Sequence, residues 1–394
     1  TGSTARRLLI VLVLTGSAIG LSIVLMPETE YLPDGNQNFA FGFLVPPPGY
    51  NVDEVSSLKD VFADRLSPLW EADPDDPATA ALPGGGIRSF LFVAFTGGSF
   101  MGVRSRDPLR LAELLPTVRD AASEIPGSIF VISQRSLFAT SRGEGRNIDI
   151  DLTGPDLDRL VALGKSVFGA VQAELPDAQA RPIPSLDLDN PEVRVFTHRQ
   201  RAAELGLSNR ELGYAVSALI DGVKASEYQF DGREIDLKIV AVESVERRTH
   251  LIEQMPIAAP TGEVVTIGSV ADVRAVNGPT SIQHRERERA ITIQVTPPAS
   301  MPLERAMATI DSEILAPLRA DGSLGGSYDA RLSGAAEKLT AAWDNLTWTL
   351  LLALVLTFLL MAALFESFLY PTVILISVPM AALGGFLGLG ALHL

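Results

Sequence analysis

The 394-residue chain contains no cysteine, which excludes disulfides, a thiolate nucleophile and thiolate metal sites. This absence does not assign a compartment, since a periplasmic domain can fold without disulfides. Histidine is almost as scarce. His198, His250, His284 and His393 lie far apart and without ligand spacing, so each reads as a satisfied or exposed side chain. There is no G-x-S-x-G, no G-x-x-x-x-G-K-[ST], no G-x-G-x-x-G after a strand and no H-E-x-x-H. No enzyme, cofactor or metal site is therefore expected. Basic residues are in the minority, 32 Lys and Arg against 47 Asp and Glu, for a net charge of −15. That balance argues against a nucleic-acid partner, because phosphates need a basic surface.

Charge is also missing from three long stretches. Leu346 to Phe365 is twenty residues without a charge, twelve of them Leu, Val or Phe, and a helix of that length crosses a hydrocarbon core of roughly 30 Å. At about −0.3 to −0.6 kcal/mol each, those twelve favour insertion by roughly 4 to 7 kcal/mol. A buried helix of a soluble protein is the alternative; it would be shorter and polar on one face. Leu8 to Met26 is nineteen uncharged residues between Arg6-Arg7 and Pro27. A cleavable signal peptide is its rival, but Leu21 to Met26 stays bulky to the boundary. Pro371 to Leu394 is apolar again, with Gly384, Gly385, Gly388 and Gly390 suited to close helix packing. The chain reads as three transmembrane helices, with a large α+β region between the first and second. Arg6 and Arg7 put the N-terminus in the cytoplasm and that region outside. With no charge inside any span, the chain carries no proton relay of its own.

In chain order, Gln37 to Val45 reads as a strand stopped by Pro46 to Gly49, and Val52, Val55, Leu58, Phe62, Leu66 and Leu69 recur at helical spacing. Residues 71 to 86 form a flexible loop by composition. Two strands (87–95 and 99–103), a helix (108–124) and a strand (128–134) follow, an α+β sandwich with helices on one face of a mixed sheet. The pattern recurs as RNIDIDL, whose polar and apolar residues alternate, a helix from Pro155 to Leu175 and a strand over Glu192 to Phe196. This order reads as a duplicated β-α-β subdomain. Ser208 caps a helix, with Glu211 at the capping-box position. Ala225–Phe230 and Glu234–Ala241 form a hairpin turned by Asp231-Gly232, with Glu227, Gln229, Glu234, Asp236 and Lys238 on its strands. It is read as an arm that contacts another chain, or else as a solvated surface hairpin. In HRERERAITIQV the arginines and glutamates alternate, so in a strand the two signs lie on opposite faces. That strand is either charge-paired and exposed or a substrate clamp. Phe41, Phe43, Phe90 and Phe92 are candidates for a substrate cleft, with core packing as the alternative for aromatics on strands.

Three segments together carry a family resemblance: MPETEYLPDGNQNFAFGFLVPPPGYNVDEV, VFTHRQRAAELGLSNRELGYAVSALIDGVKASEYQFDGREIDLKIVA and TFLLMAALFESFLYPTVILISVPMAALGGFLGL. They resemble, in order, the segment after the seventh transmembrane helix, the C-terminal docking subdomain, and the eighth and ninth helices of resistance-nodulation-division (RND) efflux permeases of the AcrB-like branch. The resemblance implies the C-terminal half of a longer permease. In that frame 1–29 is the first membrane helix, 30–146 the first porter subdomain, and 147–197 with 284–330 the second. Residues 198–283 form the docking subdomain with its hairpin, 331–370 the long helix and second span, and 371–394 the third span. It further implies a multi-pass protein of the bacterial inner membrane, with the large region in the periplasm. The expected assembly is a homotrimer that works with a periplasmic adaptor and an outer-membrane channel and carries small amphiphilic substrates by proton antiport. The proton-relay acids of the family's fourth helix and the lysine of its tenth lie outside this segment. Alternatives are a metal-exporting relative, with Met101, Met255, Met301 and Met307 as scattered candidates, a lipid-exporting relative, and a membrane-anchored periplasmic scaffold without transport.

Overall fold

A computed structural model describes residues 4–27, 29–30, 37–134, 146–241, 249–298 and 300–391. The chain divides into two compact units, Thr1–Leu186 with Ser281–Leu394, and Asp187–Thr280.

The first unit contains two antiparallel sheets of one topology. In β1 (Ala40–Val45), Ala40, Gly42 and Leu44 face inward and Phe41 and Phe43 face the other way. Helix α1 (Thr4–Val24) precedes it. After the proline turn, Asn51 caps α2 (Val52–Ser57) through a capping box with Glu54. The apolar series continues into α3 (Lys59–Glu71), whose Phe62, Leu66 and Leu69 are buried. β2 (Ile87–Phe95) and β3 (Gly98–Ser105) follow, then α4 (Leu114–Ser123) and β4 (Ile129–Gln134). The sheet order is β2-β3-β1-β4 and every neighbouring pair is antiparallel. This corrects the expected mixed sheet. Each β-α-β pair is parallel, but a third strand sits between its members, which is the split βαββαβ arrangement of ferredoxin-like folds.

The second sheet repeats it. β5 (Ile148–Gly154), α5 (Leu157–Glu174) and β6 (Gln179–Ile183) form the first half. Asp156 caps α5 by accepting from the Arg159 N–H at 2.8 Å. After the second unit come β13 (Gln283–Arg285), β14 (Glu288–Thr296), a helical stretch from Leu303 to Ala320 and β15 (Asp329–Gly334). β14 lies between β5 and β6, and β15 pairs with the outer side of β5. The expected third strand, Glu192–Phe196, is a strand but does not join this sheet; the unpredicted β6 takes that place. Its sequence, QARPI, is short, polar and carries a proline, so it lacks the apolar run that marks a strand.

Two further expectations are corrected. Glu286 and Arg287 take positive φ, 50° and 76°, and form the β13–β14 turn, so the alternating charges do not run along one strand. Residues 71–86, read as flexible, contain two 3₁₀ turns, Thr79–Ala81 and Pro83–Gly85. Arg110 donates to Ala80 O at 2.8 Å and Glu113 accepts from the Gly84 N–H at 3.1 Å, contacts that composition does not reveal.

In the second unit, β7 (Asn190–Thr197) pairs with β12 (Ala271–Gly278). Between them in sequence lie α6 (Arg199–Glu204), α7 (Asn209–Ile220), the hairpin β8 (Val223–Phe230) and β9 (Arg233–Ile239), and the short pair β10 (Pro256–Ala258) and β11 (Val264–Thr266). Ser208 and Glu211 form the expected capping box on α7. Asp231 and Gly232 have φ of 49° and 71°, the left-handed pair that a two-residue turn requires.

Two of the described helices are long and apolar enough to cross a membrane, Ala335–Leu364 and Leu369–Ala391, with mean hydropathies of 2.3 and 2.0. Only 6% and 0% of their apolar windows are buried, so neither is a soluble core helix. The apolar run Leu9–Val24 is shorter than either and, at about 1.5 Å per residue, reaches about 24 Å. The expected count of three spans is therefore met for two.

Candidate functional site

In each sheet of the first unit one face is covered by helices and the other is not. The helix-covered face of the first holds the core, in which Ala40, Leu44, Met101, Val103 and Ile132 pack against Phe62, Leu66 and Val118. Phe90 and Phe92 belong to this side. Their ring centroids lie 6.2 and 6.0 Å from that of Phe62, and Trp70 stacks on Phe90 at 5.8 Å. Phe41 and Phe43 lie on the opposite face. The pairing explains the division, since Phe90 and Phe92 stand opposite Val103 and Met101, whereas Phe41 and Phe43 stand opposite Gly102 and Phe100. Paired residues share a face.

The helix-free face is aromatic. Phe41 meets Phe43 edge-on at 4.8 Å and stacks on Phe100 at 5.5 Å. Gly102 makes room for Phe39, whose ring would stand 2.8 Å from any Cβ there. In the second sheet Ile148, Ile150, Leu152, Ile291, Ile293 and Val295 are buried. The alternate positions on these strands are polar. Asp151 is buried and accepts from Thr292 Oγ1 and Ser333 Oγ at 2.6 Å each, and Arg285 Nη1 lies 2.6 Å from its second oxygen. Asp149 accepts from Gln294 Nε2 at 3.0 Å, and Thr296 Oγ1 donates to Asn147 Oδ1 at 2.7 Å.

The two helix-free faces meet at a small cleft of about 30 Å³, open to solvent. One wall is formed by Phe41, Phe43, Val131, Ile132 and Ser133. The other is formed by Asn147, Gln179, Arg181, Gln294 and Thr296. Gln179 joins the walls, accepting from the Ile132 N–H at 2.7 Å and donating to its carbonyl at 3.0 Å. Arg181 also spans them. Its guanidinium carbon lies 4.2 Å from the Phe43 ring centroid, and its Nε donates to Gln294 Oε1 at 2.9 Å. Burial holds the Arg181 guanidinium below its ordinary value, partly offset by the charge of Asp149. Burial also raises Asp149 above the usual carboxylate range, and neighbouring Asp151 adds to the shift. The Gln294 hydrogen bond and the charges of Arg285 and Arg181 oppose it. Sequence reasoning singled out none of the polar-wall residues. The available signal was the alternation Thr292, Gln294, Thr296 against Ile291, Ile293, Val295.

In the second unit, Glu227, Glu234 and Asp236 share one face of the hairpin, while Asp231 and Gly232 form its tip. Lys224 Nζ lies 2.5 Å from Glu227 and 2.7 Å from Asp236. A hydrogen bond between Glu227 and Glu234 raises Glu234 and lowers Glu227 relative to ordinary carboxyls. The opposite face is apolar and exposed, with Tyr228, Phe230, Ile235, Leu237 and Ile239. Of the histidines, His198 Nε2 lies 3.1 Å from Asp272, and His284 is exposed on β13. His393 lies outside the described residues. Among the described residues no group of three or more His, Asp and Glu could hold a metal ion.

The AcrB/AcrD/AcrF family model matches residues 3–394. The chain is 24% identical over 286 residues to the cobalt-zinc-cadmium resistance protein CzcA of Cupriavidus metallidurans, covering 71% of this chain and 26% of that protein. It is 21% identical over 400 residues to the multidrug resistance protein MdtC of Erwinia tasmaniensis, covering 98% and 36%. The fold matches a crystal structure of a heavy metal efflux pump with a TM-score of 0.72 at 18% identity, over 100% of this chain and 40% of that one. The chain thus spans roughly a quarter to two fifths of these proteins. With the repeated split-βαβ sheets and the apolar helices, the match over almost the whole sequence makes this chain a member of the AcrB/AcrD/AcrF family of RND efflux permeases.

Proposed function

We propose that the chain forms part of a proton-driven RND transporter that exports amphiphilic small molecules from the periplasm or inner membrane. The observation that supports this reading is the pair of split-βαβ repeats, whose helix-free faces, one aromatic and one polar, meet at an open cleft. In this reading the two split-βαβ repeats are the porter subdomains and lie in the periplasm. The docking subdomain, read from sequence as 198–283, extends back to β7 once its pairing with β12 is counted. The exposed apolar face of the β8–β9 hairpin supports a contact with a neighbouring protomer of a homotrimer. The adaptor and the outer-membrane channel are its further partners. All three apolar helices are assigned to the inner membrane, and energy enters through helices of the full permease that carry its relay acids.

The test is growth of an efflux-deficient host carrying the full gene, challenged with amphiphilic compounds. The double substitution Phe41→Ala, Phe43→Ala is expected to lower resistance while leaving membrane expression intact; unchanged resistance would sink the assignment. Metal export is the second reading, favoured by the name of the CzcA relative. Of its candidate methionines, Met101 is buried in the first sheet's core and Met255 in the core of the second unit. Protection of the same host against zinc or cobalt, and not against amphiphiles, would establish the metal reading.

A further inference from the structure

Helices in a membrane move a domain outside it through the packed and hydrogen-bonded joints between them. The first unit has such a joint where the chain leaves its first apolar helix. Five residues beyond Val24, the last of α1, Thr29 and Glu30 lie across the second repeat without forming an element of their own. Thr29 donates twice to one carboxylate oxygen of Glu304, from its N–H at 2.7 Å and from Oγ1 at 2.6 Å, and the Glu304 N–H lies 3.4 Å from the Thr29 carbonyl oxygen. The two bonds from Thr29 hold the Glu304 carboxyl below its ordinary value, so they are made to an anion and belong to the stronger kind. Glu30 serves the same helix end. The helical stretch from Leu303 follows Pro302, which supplies no side-chain cap, and the Glu30 carboxylate accepts from the Leu303 N–H at 3.0 Å instead. The same oxygen accepts from Arg146 Nη2 at 2.8 Å, and the Arg146 guanidinium also donates to the carbonyls of Pro298 and Met301. A third anchor comes from the next apolar helix. Trp343 Nε1 donates to Thr29 Oγ1 at 3.2 Å, and Trp343 stands in Ala335–Leu364, three residues before the uncharged run begins at Leu346. The Thr29 hydroxyl thus donates to the second repeat and accepts from that helix. Thr29 and Glu304 lie 275 residues apart, so no local turn holds them together.

We propose that Thr29, Glu30, Glu304 and Trp343 form a fixed joint that carries displacement of α1 and of the helix Ala335–Leu364 to the second repeat, so that these three parts move as one body during transport. This rests on the reading of the chain as part of a proton-driven transporter.

The test is made in the full permease. Export of N-phenyl-1-naphthylamine and of zinc is measured in an efflux-deficient host, and proton entry down an imposed pH gradient in vesicles of phosphatidylethanolamine and phosphatidylglycerol. E304A and T29V are expected to lower export about tenfold at an unchanged amount in the membrane. Proton entry is expected to stay within about twofold of wild type, which a loss of folding would not allow. The pair T29C/E304C exchanges the hydrogen bonds for a disulfide, which the backbone contact between the two residues brings within reach. It is expected to export as wild type when oxidised and as E304A when reduced. Lower export in the oxidised form than in the reduced form would mean that the joint opens in every cycle, and wild-type export by E304A would mean that it transmits nothing. Either result overturns the proposal and leaves the transporter reading standing. If the wild type exports neither cargo, both fall. Should E304A fail to reach the membrane, T29V, which removes only the hydroxyl, carries the same comparison.

Discussion

β1 and β5 occupy the same place in two sheets of identical topology, each flanked by the third and fourth strands of its repeat. Their helix-facing residues are interchangeable in kind, Ala40, Gly42 and Leu44 in one and Ile148, Ile150 and Leu152 in the other. Their free faces are opposites. β1 presents Phe41 and Phe43, and β5 presents Asp149 and Asp151. Folding constrains the first kind of face, because a helix must be buried against it. It leaves the other nearly unconstrained, provided that its polar groups find partners. The cavity forms where two such free faces of different chemistry meet.

The largest effect that would break this comparison is on the constrained face. Phe62→Ala removes a fully buried ring on which Phe90, Phe92 and Phe130 pack and should cost about 3–5 kcal/mol. Phe41→Ala, on the free face, should cost under about 1.5 kcal/mol. Thermal unfolding in detergent measures both, and equal losses would contradict the division of the four phenylalanines. Next comes Asp151→Ala, which leaves the Thr292 and Ser333 hydroxyls without their acceptor and is expected to cost about 2–3 kcal/mol. A loss near zero would show that the polar face is solvated and that the buried network contributes little.

Asp149 gives a smaller, pH-dependent effect. Its folded pKa is raised, so ionisation in the folded state is penalised above that pKa, and the penalty is relieved as the pH falls toward the unfolded value. Asp149→Asn should therefore be more stable than wild type at neutral pH, with the gap closing on acidification. The groups that face Asp149 are Asp151 on its own strand, Arg181 on β6, Arg285 on β13 and Gln294 on β14. A gap that widens on acidification would mean that the charges of Arg181 and Arg285 outweigh burial. The smallest effect belongs to the second unit. Gly232→Ala, at φ 71° with open space around the missing Cβ, should cost about 1 kcal/mol. No change in stability would show that the hairpin turn is not held in that conformation.

Much of this was legible before any coordinates. The apolar run ended by Pro46 marked one strand, alternation in RNIDIDL marked a second, Ser208 and Glu211 marked a helix start, and Asp231-Gly232 marked a turn. These are local signals, each decided within about eight residues. The quoted motifs carried the family resemblance. What failed was non-local. QARPI reads as loop, yet it fills the edge of β14 because the split βαβ leaves that edge unpaired. The HRERER charges looked like a strand because alternation cannot reveal that two of its residues turn.

The amino-acid sequence by itself determined most of the elements, the long uncharged apolar stretches suited to a membrane, and the lack of cysteine chemistry and of any recognisable catalytic motif. Only the tertiary structure decided which phenylalanines line the cavity and which guanidinium enters it. Strand periodicity sorts residues into two faces; it does not say which face a helix will cover. That assignment depends on the register between strands far apart in the chain, such as β1 with β3 and β5 with β14, and register is set by packing over the whole sheet.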